Sequence, residues 1–508
     1  MRFSYIIWVI NMKSASVLMK NTILLALSSV IMRLLMLCFQ AFLASKAGAE
    51  QLGVYGIIAS VGIVFSTIGI SGVRFGSTRL VAAEISCGNE YPHSLMRCAF
   101  LYATFFSVLS GMSLYFLAQP IAALWVNSGE ATLPLKIMAF SILPISLGSC
   151  IEGYFTAKQK ILRVILSETT GMLLRMAFVA VIIIKKPLSD VPSLLSAGFL
   201  IGEAVFSLGL FILYFKEIFK KKEKYPRRHT KNLIRTSLPL AVSAYMRTGL
   251  SSMGQIIIPM GLRKAGMGVA SAFSTYGIIT QMSMPVIMFP QALLVSLGEI
   301  LVPHLTGAQM ENRKIGISYI VNRAMRIGIM FSFAVMGVML FYSKELGELI
   351  YKSTEAGLYI KIFAPLVPVI YIDCVTDGCL KGLGQQLPCM IYNVLEGIIN
   401  VVLLYILLPK VAIIGYILVM YVKEIFNAYL SIRRLKKVTA VEISISTVLS
   451  VIVCMLGAYI MTLITMPGGM VIVKILLFTV FYISLLYIIN AVTREDIKWA
   501  ASLVAQTN

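Results

Sequence analysis

Negative charge is what this chain has least of. Its 508 residues carry 22 Asp and Glu against 44 Lys and Arg, and all four types together make up only 13%. Soluble domains are roughly twice as charged, and no polar stretch here is long enough to hold one. Histidine is nearly absent, and the three present (His93, His229, His304) are too dispersed to ligate a metal. Eight cysteines are scattered without a C-x-x-C and mostly inside apolar runs, so they read as small buried hydrophobes rather than redox or metal groups. No G-x-x-x-x-G-K-[ST] occurs, which excludes a nucleotide-driven motor. Nothing resembles a Ser/His/Asp constellation, and the loops assigned below to the outside are no longer than about twenty residues. The chain is therefore expected to be no enzyme and to need no cofactor or metal.

Apolar surface is what it has in abundance. Hydrophobic residues make up 58% and the mean hydropathy is +0.88. Apolar runs of about 20 residues recur from end to end, the mark of an all-helical protein that crosses a membrane many times. Fourteen spans are expected, near 17–45, 52–85, 94–118, 132–157, 161–185, 191–217, 235–262, 268–306, 319–342, 356–380, 388–408, 411–432, 441–464 and 470–492. Pro144, Pro239, Pro259, Pro285, Pro290, Pro365 and Pro368 lie within them. Each frees a backbone carbonyl and bends its helix, which suits a protein that must rock. The first ten residues are apolar but too short to span and lack a small-residue cleavage site, and Met12 or Met19 would serve equally as starts.

Lys and Arg set the orientation. With the N-terminus inside, inner segments hold 28 of them and outer loops 8, so both termini are expected in the cytoplasm. The net charge of +22 then belongs to loops lying against anionic lipid rather than to a nucleic-acid surface. The densest basic stretch, K-E-I-F-K-K-K-E-K-Y-P-R-R-H-T-K (Lys216 to Lys231), is the one obvious linker. It reads as a solvated topogenic loop, with regulatory binding as the alternative.

Two similar halves flank that linker. V-Y-G-I-I (54–58) returns as T-Y-G-I-I (275–279), and Lys136…Glu152 returns at the same spacing as Lys361…Asp377. Six spans separate equivalents, so the halves share orientation and relate by a pseudo-twofold along the membrane normal. The expected organisation is an N-terminal segment 1–16, an N-lobe 17–217 and a basic linker 218–234. A C-lobe 235–432 follows, then two further spans with a tail, 433–508.

Spans one and seven each carry an arginine near mid-helix, in L-S-S-V-I-M-R-L (Leu27 to Leu34) and V-S-A-Y-M-R-T (Val242 to Thr248). A charge at the bilayer centre costs about 2.5–3.5 kcal/mol on insertion scales, so it is seldom present without a partner or a task. At 1.5 Å per residue Arg33 lies about 24 Å in from Val17. Arg33 and Arg247 at matching places point to a cavity that takes an anionic substrate, since guanidinium binds phosphate oxygens bidentately. The alternative is a structural pair with Glu152, Glu168 or Glu396. Arg74 and Arg79 would gather a headgroup as it enters, or snorkel at an interface. Glu152 and Asp377, pseudo-equivalent and each followed by glycine, would gate or bind a coupling ion, or cap backbone and pair with lysines such as Lys158.

G-A-E-Q-L-G-V-Y-G (48–56), G-V-R-F-G-S-T-R-L-V-A-A-E (72–84), L-G-E-I-L-V-P-H-L (297–305), N-R-A-M-R-I (322–327) and L-K-G-L-G-Q-Q (380–386) follow in order. The set resembles the stage V sporulation protein B family and its polysaccharide-export relatives over nearly the whole chain. The resemblance implies the multidrug/oligosaccharidyl-lipid/polysaccharide exporter superfamily, with two six-helix lobes that alternate between inward- and outward-open states. It implies export of undecaprenyl-linked sugars across the cytoplasmic membrane for cell wall or spore envelope. The first-helix arginine of lipid II flippases matches Arg33, and their second falls at Phe39 or Gln40 here. The implied partners are a lipid-linked glycan, membrane lipids and glycosyltransferases, with the protein a monomer. Two other functions compete. A Na⁺- or H⁺-coupled multidrug exporter would want acids in span one, which has none; a polysaccharide polymerase or ligase would want a large outer loop.

Overall fold

The computed structural model describes residues 2–88, 92–126, 131–185, 190–218, 230–442, 445–489, 491–492 and 496. Side chains are described for the same residues except 2–26, 126, 230 and 231. Most of the basic linker, 219–229, lies outside them, as does the expected tail beyond 496. Among the described residues there is no strand.

Every expected span falls on helix. The order is α1 (Arg2–Ile70), α2 (Val73–Ser86), α3 (His93–Ile121), α4 (Thr132–Ala157), α5 (Ile161–Lys185), α6 (Val191–Ile218) and α7 (Thr230–Lys264). Then come α8 (Val269–Gly277), α9 (Met284–Met288), α10 (Gln291–Met310), α11 (Lys314–Phe341), α12 (Ser343–Tyr351), α13 (Thr354–Phe363) and α14 (Val367–Gly382). The chain closes with α15 (Gln386–Val438), α16 (Ile445–Thr465) and α17 (Val471–Ile488). Ten described helical runs are long and apolar enough to cross a membrane, or eleven if one bent pair is a single span. The number falls short of fourteen because α7, span seven, is not among these runs and two pairs of spans share one helix each. Spans one and two share α1 and are divided only by Gly48, whose φ of 77° and ψ of 166° suit a residue without Cβ. Spans eleven and twelve share α15, broken at Val411–Ala412 just past Pro409. Ala412 takes φ 47° there, a strained value for a residue with a side chain.

The prolines mark other breaks. Span eight passes through a π-helical stretch, Ile278–Ser283, before Pro285 and bends by 52° before α10, which begins just after Pro290. Span ten tightens to a 3₁₀ turn at Ala364–Leu366, between α13 and α14. Pro239 and Pro259, by contrast, sit inside the continuous α7.

The described residues pack as two compact units: Lys46–Gly277 with Val401–Ala412, and Met1–Ser45 with Ile278–Asn400 and Ile413–Asn508. These boundaries differ from the lobes expected from the repeat. Span seven packs with spans two to six, and span one with the later helices. In the first unit a methyl group at Gly72, itself at φ 71°, would stand 2.5 Å from the Ser237 carbonyl oxygen, so α2 and α7 meet backbone to backbone. Tyr245 of α7 donates to Ser71 Oγ at 2.8 Å. A core of Val73, Leu95, Met96, Cys150, Tyr154, Phe155 and Tyr214 joins α2, α3, α4 and α6. In the other unit the two last spans lie on α11: Phe341 stacks on Tyr459 at 3.9 Å and Tyr482 donates to the Met330 carbonyl at 2.8 Å.

Lipid-facing surfaces follow the helical period. On α3 Leu101, Phe105, Leu109, Met112 and Phe116 are exposed, while Ala99, Ala103, Ser107, Ser110 and Ala118 are buried. Small polar and small apolar residues form the packed face and large apolar ones face outward, the reverse of a soluble helix. Cys150, Cys379, Cys389 and Cys454 are buried as expected, but Cys38 and Cys87 are exposed.

Candidate functional site

The six residues singled out from sequence divide between the units. Arg74, Arg79, Arg247 and Glu152 belong to the first, Arg33 and Asp377 to the second. Arg33 and Arg247 are exposed side chains on α1 and α7, and neither forms an ion pair with another described residue. The Arg33 charge acts on Glu299 of α10. Arg247 rises on α7 one residue before Thr248, which lies 3.5 Å from Thr67.

Arg74 pairs with Glu152 at 2.6 Å, joining α2 to α4. The glycine after that acid allows the approach, because Gly153 packs directly on the Arg74 carbonyl and Ser77. Arg79 is exposed one turn on. Lys158 pairs not with Glu152 but with Glu217 at 2.9 Å. Glu217 also takes Lys160 at 2.8 Å and Arg163, clamping the α4–α5 turn to the end of α6. Deeper in the unit Glu168 and Glu203 lie close enough for their charges to act on Glu152, and Arg175 acts on Glu203. Glu203 and Arg175 were not singled out; their signal was opposite charges well inside two consecutive spans, five and six.

Asp377 lines a cavity of about 410 Å³ between α10, α14 and the two arms of α15. Glu299, Asp373, Glu396 and Glu424 line it too, against the single cation Lys381. Lys423 bridges Glu396 at 2.9 Å and Glu424 at 2.6 Å. Asn427 donates to Asp373 Oδ2 at 2.9 Å. Asp373 Oδ1 and Asn427 Oδ1 are buried acceptors left without a donor, an arrangement that favours a proton or a cation nearby. Among the described residues no three His, Cys, Asp or Glu converge tightly enough to hold a metal ion. This acid cavity was legible only in part, in the i, i+4, i+8 spacing of Asp373, Asp377 and Lys381 on one helix face. A second cavity of about 740 Å³ is almost wholly apolar, with Leu37, Phe289, Phe331, Ile475 and Tyr482 in its walls.

Comparison with known proteins gives these features a setting. A family model described as MatE matches residues 249–406. Stage V sporulation protein B of Bacillus subtilis (strain 168) is 22% identical over 440 residues, covering 84% of this chain and 85% of the relative. The lipid II flippase MurJ in an inward closed conformation shares the fold with a TM-score of 0.72 at 16% identity, over 92% of this chain and 98% of that one. An inward-facing multidrug resistance MATE family transporter superposes with a TM-score of 0.59 at 15% identity, over 80% and 98%. The run of membrane-crossing helices makes this a multi-pass membrane protein, and its fold is the one seen in the MurJ and MATE transporter structures.

Proposed function

We propose that the protein is a flippase that moves an undecaprenyl-linked, pyrophosphate-bearing oligosaccharide across the cytoplasmic membrane by alternating access, for cell wall or spore envelope. One observation carries this reading. Arg33 and Arg247, each in mid-span, are exposed and have no ion pair among the described residues. Arginines held for structure in a membrane are neutralised, as Arg74 is by Glu152; arginines held for a substrate stay available for phosphate. The apolar cavity that includes Leu37 and Phe331 suits a prenyl chain. Arg79 lies where a headgroup would enter, both termini are cytoplasmic by the Lys and Arg bias, and Asp377 gates or couples. The protein acts as a monomer fed by glycosyltransferases.

A coupled multidrug exporter is the second reading, favoured by the acid-lined cavity around Asp377 and the MatE match. A reconstituted assay separates the two. Proteoliposomes containing the protein should move a fluorescent polyprenyl-pyrophosphate sugar between leaflets. Movement of a cationic dye with no movement of the lipid-linked sugar would overturn the flippase reading.

A further inference from the structure

The largest cavity among those described, about 960 Å³, is separate from all of these residues. It opens between the first turns of α11 and α16 and the end of α15. Two segments that the Lys and Arg bias assigns independently to the cytoplasmic side meet there, 307–326 and 431–442, and Asp496 of a third pairs with its arginines. Ser318 donates to the Ala440 carbonyl at 2.7 Å and Asn322 accepts from the Glu442 amide at 2.9 Å, which fixes 440–442 as one wall.

The charges in this cavity are unevenly met. Lys314, Arg323 and Arg326 face it against one acid, Glu442. Arg323 pairs with Asp496 of the tail, and Arg326 reaches the same carboxylate at 3.8 Å. Arg326 also donates to the Ala491 carbonyl at 2.6 Å, yet its Nε is buried without an acceptor. Lys314 is exposed and has no ion pair among the described residues. The hydroxyls of Ser446 and Thr447 complete the polar lip at the N-terminus of α16, where helix dipoles favour anions.

Below that lip the surface turns apolar in one direction. Leu449 and Val453 are exposed three and seven residues past Ser446, on the same face of α16, with Ile445 exposed beside them. A cationic mouth above an apolar track fits a lipid better than a free anion.

We propose that this cavity binds the phosphate headgroup of an anionic phospholipid of the cytoplasmic leaflet, its acyl chain lying along Leu449 and Val453, and that Asp496 competes with that phosphate for Arg323 and Arg326. The proposal uses the orientation read from the charge bias but not the identity of the cargo, so it stands or falls apart from the flippase reading.

Native mass spectrometry of the full-length, detergent-solubilised protein tests it, with phosphatidylglycerol, phosphatidylcholine and inorganic phosphate as probes. Phosphatidylglycerol should bind saturably and phosphatidylcholine should not compete. The K314Q/R326Q double variant should weaken binding by about a hundredfold, the loss of two charge-assisted contacts. Asp496→Asn should tighten it several-fold, which a merely structural aspartate would not do. Unchanged affinity in the double variant, or weaker binding in Asp496→Asn, overturns the proposal. Displacement of the lipid by inorganic phosphate at matched concentration would show a free-anion site and overturn the lipid assignment. Should the double variant not fold, K314Q at the exposed helix start and Asp496→Asn give the same two opposed shifts.

Discussion

The two units use one helix crossing to opposite electrostatic ends. In the first, α4 crosses α2 where Gly153 packs on Arg74 and Ser77. In the second, α14 crosses α10 where a methyl on Gly378 would come within 2.7 Å of the Gly298 Cα. The acid before each glycine is pseudo-equivalent, Glu152 and Asp377. V-R-F-G-S (73–77) answers V-S-L-G-E (295–299) in the facing helix. The position that supplies Arg74 in one unit is therefore Ser296 in the other, and the position of Ser77 becomes Glu299. Glu152 has its guanidinium at 2.6 Å, whereas Asp377 shares a cavity with four other carboxylates. One repeat position is thus a strut paired with a guanidinium in the first unit and, in the second, an acid with no guanidinium, met only by the Lys381 charge one turn on. The partner, not the acid, makes the difference.

The largest expected effect falls on the arginines with no such partner. Arg33→Ala or Arg247→Ala should lower lipid-linked sugar transport by about a hundredfold or more, the loss of a bidentate charged contact on the cargo. Protein level in the membrane should stay normal, because an exposed side chain contributes little packing. Lysine should restore transport in part, keeping the charge without the fork. Normal transport by the double alanine variant would remove these residues from the site; loss of the protein together with transport would make them structural.

Next come the acids themselves. Asp377→Asn should reduce transport about tenfold if a carboxylate with no guanidinium is what gates or couples. Ser296→Arg should do the same by giving Asp377 the partner that Glu152 already has. Glu152→Gln should act differently: it strands Arg74, and its defect should be relieved by adding Arg74→Gln, since removing both partners of a pair costs less than removing one. Transport rates of the four variants, normalised to protein level, decide it. Equal losses in Glu152→Gln and in the Glu152→Gln/Arg74→Gln double variant would dissolve the contrast between the units.

Much of this architecture can be read from the chain alone, and the exceptions have causes. Apolar run length placed the helices because twenty residues are what a bilayer demands. The breaks at Pro290 and Pro365 follow from missing donors. The break at Gly48 leaves no such mark, being one permissive residue in a helical run. The exchange of spans one and seven between units was not visible, because α2 meets α7 through Gly72, Gly76 and Ser237, and small residues in apolar runs carry no periodic signal. The candidate residues were visible as isolated intramembrane charges. Their partners were not, since Arg74 and Glu152 lie 78 positions apart and meet only through the fold.

The smallest effect tests the crossings rather than the charges. In the first unit Gly53 of α1 and Gly277 of α8 also approach backbone to backbone: a methyl on Gly53 would fall against the Phe273 carbonyl, and one on Gly277 against that of Ala49. Neither carbonyl can turn away, because each belongs to a helix, so Gly53→Ala should destabilise by about 1–3 kcal/mol through overpacking. The second unit's crossing is asymmetric. A methyl on Gly378 would come within 2.7 Å of the Gly298 Cα, but one on Gly298 would stand 3.4 Å from the Gly378 Cα, an ordinary contact. Gly298→Ala should therefore change stability by less than about 0.5 kcal/mol, with any gain in helix propensity offset by the small loss of room. Thermal unfolding of the purified variants in one detergent reads both. A Gly298→Ala variant as unstable as Gly53→Ala would mean that α10 and α14 approach more closely than this, and that the acid cavity beside them is narrower.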